Sequence, residues 1–158
     1  LNPLGSAFVL FASIVFAAVL QLLPLSGYYL LWRPNFLLLI TLAWIIFRPS
    51  NGGIGFAAIL GFLADIIFRA PVGLYLLVFG ITSVFPLILS RWLIHFTALH
   101  RCLFVFILVL MSGILENTIF GFWGVPPDYG SLPMKAVFSS LVWLIIDPFF
   151  TKVLLKRY

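Results

Sequence analysis

Apolar residues follow one another in long uninterrupted runs along this chain, and polar residues gather in short clusters between the runs. Residues 1–32 and 70–90 contain no charged side chain. The runs are not one-sided, as on an amphipathic helix of a soluble fold. Nor do they alternate, as membrane-barrel strands of about ten residues would; Ala7–Leu23 and Ile81–Leu89 show no such alternation. The pattern predicts an all-α polytopic membrane protein with six transmembrane helices. Turn chemistry sets the spans at about 6–23, 30–47, 53–68, 73–92, 102–120 and 134–155. Pro24, Ser26 and Gly27 end the first span, and Arg33 and Pro34 fall in the first turns of the second, where proline's missing N–H costs little. Arg48-Pro49-Ser50-Asn51-Gly52-Gly53 makes a tight turn, Arg69-Ala70-Pro71 closes the third span, and 121–133 is the longest irregular segment. The connections are too short to fold alone, so the chain reads as one transmembrane domain.

Composition supports the bilayer as solvent. The 158 residues are 64% hydrophobic and 8% charged, where a soluble domain carries roughly a quarter charged residues. The formal charge of +5 orients helices and meets anionic lipid in such a chain, and no nucleic acid is expected. The single Cys102 excludes an intrachain disulfide and any multi-cysteine metal site. The first apolar run lacks a basic leader and an Ala-x-Ala-like exit, so it is expected to be a retained helix. The opening Leu1 fits either a trimmed chain or a non-standard start codon.

Six spans put both termini on one side. Arg48, Arg91, Arg101, Lys152, Lys156 and Arg157 fall on that side, against Arg33, Arg69 and Lys135 opposite. The positive-inside rule therefore predicts cytoplasmic ends. Tyr28, Tyr29, Trp32, Trp123 and Tyr129 then form an outer aromatic girdle, with Trp92 and Tyr158 on the inner side.

Four acids remain to be argued individually: Asp65, Glu116, Asp128 and Asp147. Gly53, Ala57, Gly61 and Asp65 recur at four-residue spacing and share a helix face. Such a small-residue stripe lets another helix approach, either inside the bundle or from a partner. Asp65 either caps the 69–73 turn or pairs with Arg69, or else contacts a ligand or partner. Glu116 lies at a similar outer depth, so Arg33 with Asp65 or Glu116 forms a buried polar cluster or a recognition site. Asp147 precedes the helix-kinking Pro148 in the inner half, with Arg48 or Arg91 able to snorkel toward it.

Catalysis finds no support. His95 and His100 lack the i,i+4 spacing of a helical zinc site and read as solvated. No Gly-x-Ser-x-Gly elbow, Walker loop or Rossmann glycine pattern is present, and Ser83, Ser112 and Ser139 have no intramembrane histidine as base. Neither metal nor cofactor is expected.

Two segments carry a resemblance. Arg33-Pro34-Asn35-Phe36-Leu37-Leu38-Leu39 resembles the Arg-Pro-Asp-(apolar) run of the rod shape-determining protein MreD family. Gly61-Phe62-Leu63-Ala64-Asp65, followed by Pro71-Val72-Gly73-Leu74, resembles its Gly-Leu-x-x-Asp…Pro-Leu-Gly element. Asn35 stands where the family commonly has Asp, and Arg69 where it has a small or polar residue. The resemblance implies a non-enzymatic protein of the bacterial inner membrane. It also implies a bitopic MreC-like partner, and work with MreB, RodA and a class-B penicillin-binding transpeptidase in lateral wall synthesis. The family is similar in fold to the six-helix substrate-binding subunits of energy-coupling-factor vitamin transporters. A vitamin-capture subunit is accordingly the alternative, although the longer outer loop with ligand-shaping polar residues that it calls for is absent. An intramembrane enzyme would need a nucleophile and base in one membrane half.

Overall fold

A computed structural model describes residues 2–50 and 53–155, apart from the side chain of Tyr28. Leu1, the Asn51-Gly52 part of the first tight turn, the Tyr28 ring of the girdle, and the basic or aromatic Lys156, Arg157 and Tyr158 lie outside the described residues. Among those described, the chain forms seven α-helices: α1 (Pro3–Leu22), α2 (Tyr28–Leu31), α3 (Phe36–Phe47), α4 (Ile54–Phe68), α5 (Leu74–Leu93), α6 (Ala98–Phe122) and α7 (Leu132–Phe150). A π-helical turn, Thr151–Leu155, follows α7.

Five segments are long and apolar enough to cross a membrane, counting the short α2 with α3 as one, and α4 is a shorter apolar helix. The protein is thus an all-helical, multi-pass membrane protein. At 1.5 Å per residue, α3 and α4 span about 18 and 22 Å, less than a hydrocarbon core of about 30 Å. Their ends therefore fall where few waters are available to satisfy backbone groups.

The second and fifth segments differ from the pattern-based spans. The second is not one helix: it breaks at residues 32–35 between α2 and α3. Pro34 drives the preceding Arg33 out of helical backbone, and Asn35 then starts α3 by accepting a hydrogen bond from Leu38 N–H at 3.2 Å. The fifth begins at Ala98 rather than about 102, which moves Arg101 from a link into the first turn of α6.

Helix α3 is the axis of the bundle. Every residue from Leu37 to Phe47 is buried, as expected of a helix that is apolar all round. Helices α1, α4, α5 and α7 surround it, and α6 closes the far side by packing between α5 and α7. In lipid this clustering gains nothing from hiding apolar surface; close packing and polar contacts hold it. Trp44 shows both, lying fully buried while its indole N–H donates to Ser13 Oγ of α1 at 3.0 Å.

The α4–α5 pair is the most intimate. A Cβ on Gly61 would lie 2.5 Å from the Tyr75 carbonyl oxygen and 2.7 Å from Leu76 Cα, both backbone. Gly61 is thus consumed by internal packing on the first turn of α5. Ala57 is buried as well, whereas Gly53 has open space around it. Gly61→Ala should therefore force the two helices apart and destabilise the fold by about 1–3 kcal/mol. Gly55→Ala, with nothing within 4 Å of the new methyl, should be neutral or stabilising. Thermal denaturation of the two detergent-solubilised variants checks both.

Candidate functional sites at the two ends of the bundle

The end of the bundle opposite the chain termini is organised by Asp65. Its helix closes on Arg69, which takes the left-handed conformation (φ 52°, ψ 37°). Ala70 N–H donates to the Asp65 carbonyl at 3.0 Å and Arg69 N–H to that of Ile66 at 3.3 Å. This is a Schellman closure with arginine in the position glycine usually holds. The chain then reverses through Pro71 and Gly73 (φ 98°), and α5 starts directly beneath the Asp65 side chain. Asp65 Oδ2 accepts from Gly73 N–H at 2.8 Å and Oδ1 from Tyr75 N–H at 2.7 Å. One buried carboxylate thereby satisfies two orphan donors at a helix N-terminus, where its negative charge is also favoured.

Glu116 comes into the same neighbourhood through Tyr75. The phenol donates to Glu116 Oε1 at 2.6 Å, and Lys135 Nζ lies 3.5 Å from Glu116 Oε2. The chain of contacts runs Asp65, Tyr75, Glu116, Lys135 across α4, α5, α6 and α7. Both members of the Glu116–Lys135 pair remain partly accessible.

Arg33 does not join this cluster, contrary to the sequence expectation. Its guanidinium donates to the carbonyls of Gln21 and Leu23 at the end of α1, and no ion pair links it to Asp65 or Glu116 among the described residues. Gln21 reciprocates by accepting from Phe36 N–H at 3.0 Å. The Arg33-Pro34-Asn35 run is therefore a clasp between the end of α1 and the start of α3. A direct Asp65–Arg69 pair is also not formed, because both Asp65 oxygens face the amides of α5.

At the terminal end, Asp147 pairs with Arg101, not with Arg48 or Arg91. Arg101 Nε and Nη2 meet Asp147 Oδ1 and Oδ2 at 2.6 and 2.8 Å, a bidentate contact. Its Nη1 donates to the Phe96 carbonyl at 2.7 Å, and the guanidinium lies 5.5 Å from the centre of the Phe47 ring. The two residues are only 7% and 3% exposed. The pair thus ties α6 and α7 to the end of α5 and to α3. Arg48 is half-buried and Arg91 exposed.

Sequence reasoning missed Arg101, Gln21, Tyr75 and Lys135 as partners. Thr97 preceding an apolar run was the signal for an earlier start of α6. With that start, Arg101, Val105, Leu108 and Ser112 fall on one buried face. Gln21, a lone amide ending an apolar run, was the signal for the clasp. Tyr75 carried none that would separate it from an ordinary core aromatic. His95 lies exposed on the link and His100 exposed in the first turn of α6, and no described group of three or more His, Cys, Asp or Glu is placed to hold a metal.

The geometry places the Gly61–Asp65–Pro71–Gly73 element and the Arg33-Pro34-Asn35 run at the structural joints of the bundle. Residues 4–153 match the family described as rod shape-determining protein MreD. The chain belongs to the MreD family. Among curated relatives, the rod shape-determining protein MreD of Haemophilus influenzae is 32% identical over 144 residues, covering 86% of this chain and 84% of the relative. No solved structure matches the chain. Membership in the MreD family makes it a non-enzymatic membrane subunit linked to the rod-shape machinery.

Two substitutions at Asp65 separate hydrogen bonding from shape. Asp65→Asn keeps one acceptor but turns an NH2 toward the second amide. Asp65→Leu leaves both amides of α5 unpartnered in a dry site, at about 1–3 kcal/mol for each. Asp65→Leu should show the larger loss of thermal stability. At the other end, Asp147→Leu should cost about 3–5 kcal/mol by stranding Arg101, and adding Arg101→Met should recover part of that loss. A thermal-stability double-mutant cycle measures the recovery.

Proposed function

We propose that this chain is a subunit of the bacterial elongation complex that holds a bitopic MreC-like partner. Through that partner it helps couple MreB to the wall synthases RodA and a class-B penicillin-binding transpeptidase. The observation that carries this reading is the family match over residues 4–153. The protein would sit in the inner membrane with both termini cytoplasmic, an orientation supported by the basic residues counted on the terminal side. The family's likeness to the six-helix fold of vitamin-binding transporter subunits belongs to the same reading.

The stripe of Gly53, Ala57 and Gly61 is a poor candidate for the partner surface, because Ala57 and Gly61 face inward. The Glu116–Lys135 pair is the better one. It is charged and partly accessible, and it lies at the end assigned to the periplasm, with the ring of Phe138 on α7, stacked on Trp32 between α2 and α3 (centroids 6.1 Å apart), as further surface. Asp65 supports this surface indirectly by fixing the start of the helix that carries Tyr75.

Co-purification from native membranes tests the reading. A single-span partner with a periplasmic coiled coil should be recovered, and Lys135→Glu should reduce its recovery while the variant still elutes as a single species. Recovery of a vitamin or an ATPase-coupled membrane subunit in its place would sink the proposal. The orientation is checked separately in a Cys102→Ala background. Cysteines at Ser50 and Thr97 should be protected from a membrane-impermeant thiol reagent in spheroplasts, and one at Val125 should be labelled.

A further inference from the structure

Helices α1 and α7 both lean on α3 but leave a groove of about 490 Å³ between them. Phe8, Ala12 and Phe16 of α1 form one wall, Ile145 and Phe149 of α7 the other, and Ile40 of α3 the floor. Contacts on both walls brace the groove. Trp44 ties α1 to α3 through Ser13, and Phe150 is held against the rings of Trp44 and Phe47 at centroid distances of 5.8 and 6.0 Å.

Two basic residues lie close in sequence to the rings at Phe150, which lines the groove. Lys152 lies two residues beyond Phe150, and Arg48 follows Phe47, whose ring stacks on that of Phe150. Neither cation has an acidic partner among the described residues. The chain has only four side-chain carboxylates, and all are engaged elsewhere: Asp65 by the amides of α5, Glu116 by Tyr75 and Lys135, Asp128 by Ser131, and Asp147 by Arg101.

We propose that the groove between α1 and α7 seats an acyl chain of one anionic phospholipid, with the lipid phosphate against Arg48 and Lys152. An apolar slot between transmembrane helices that ends in unpaired Lys and Arg is the arrangement that selects such a lipid. A soluble metabolite finds only Ser13 as polar lining there, and its hydroxyl is already bonded to Trp44 and to the Leu10 carbonyl. A partner's transmembrane helix is the poorer occupant, because its own cytoplasmic flank carries the same Lys/Arg excess and would bring like charges to Arg48 and Lys152. That last step rests on the orientation proposed above; the lipid measurement itself does not depend on which side the groove faces. Thiol labelling that reversed the topology would therefore leave the lipid result standing.

The test is native mass spectrometry of the full chain in a neutral detergent, titrated with phosphatidylglycerol or with phosphatidylcholine of the same acyl chains. One phosphatidylglycerol should be retained in preference to phosphatidylcholine. Arg48→Gln combined with Lys152→Gln should weaken phosphatidylglycerol about thirtyfold, from about fivefold per basic residue, and leave phosphatidylcholine unchanged. Ala12→Phe, which fills the groove, should weaken both lipids. Equal retention of the two lipids by the unaltered chain would overturn the proposal, as would full phosphatidylglycerol binding by the charge variant. Release of a co-purified single-span partner by Ala12→Phe with lipid retention intact would make the groove a helix-docking site instead.

Discussion

Two of the central helices of this protein are shorter than the membrane is thick, and that constraint shapes the rest of the structure. The first N–H groups and last carbonyls of a helix have no partner within the helix. In hydrocarbon they must find one within the protein. Helix α3 has 12 residues and α4 has 15, so their ends cannot rely on the aqueous interface. The polar side chains of the bundle answer that demand. Asn35 and Gln21 accept from the start of α3, Arg33 donates to the end of α1, and Asp65 accepts from the start of α5. Arg101 donates to the carbonyl of Phe96, just beyond the end of α5. What looks in sequence like a scatter of possible binding residues is mostly a set of helix-end partners.

The consequence for function is a division of labour among the polar groups. Those that terminate helices are committed to the fold: Asp65 is buried with both oxygens bonded to amides of α5, and the Arg101–Asp147 pair is bidentate and buried. Groups without a helix-end task remain available to the outside. Glu116 and Lys135 at one end, and Arg48 and Lys152 at the other, are among the charges that a partner or a lipid can reach. The protein is held rigid where its helices end and offers its recognition chemistry beside those joints. A subunit that works by holding other molecules, and not by transforming them, needs that arrangement.

The helical, multi-pass character of the fold was legible because continuous apolar runs admit no other solution in lipid. The turn chemistry located most of the breaks. What it missed were events decided by tertiary contacts. Pro34 was assigned to the first turn of a long second helix, but here the chain also has to carry the guanidinium of Arg33 back to the carbonyls of Gln21 and Leu23, and the helix breaks to allow it. Arg101 was placed in a link because the fifth span was set to begin at about residue 102. Its burial depends on Asp147, 46 residues away, which periodicity cannot register. At the candidate site, capping of the turn that follows was one of the readings open for Asp65, and its carboxylate accepts from the amides of Gly73 and Tyr75. The association of Arg33 with Asp65 and Glu116 failed because similar depth in the membrane does not fix which helices are neighbours.

The two departures from the family pattern can now be weighed by what each position has to do. At position 35 the side chain accepts one hydrogen bond from Leu38 N–H. A neutral amide oxygen does that as directly as a carboxylate, and asparagine and aspartate are nearly equivalent N-caps. Loss of the charge therefore removes nothing the joint requires. Position 69 must adopt left-handed backbone to close α4, which costs a non-glycine residue about 1 kcal/mol. Arginine bears that cost here because the Schellman hydrogen bonds and the two amides on Asp65 fix the turn from both sides. Position 65 is different in kind. It must present two acceptor oxygens to two amides at once, and among the natural side chains that fit beside Gly61 only a carboxylate supplies both. The tolerance of the motif is thus graded by acceptor count: one oxygen at position 35, two at position 65.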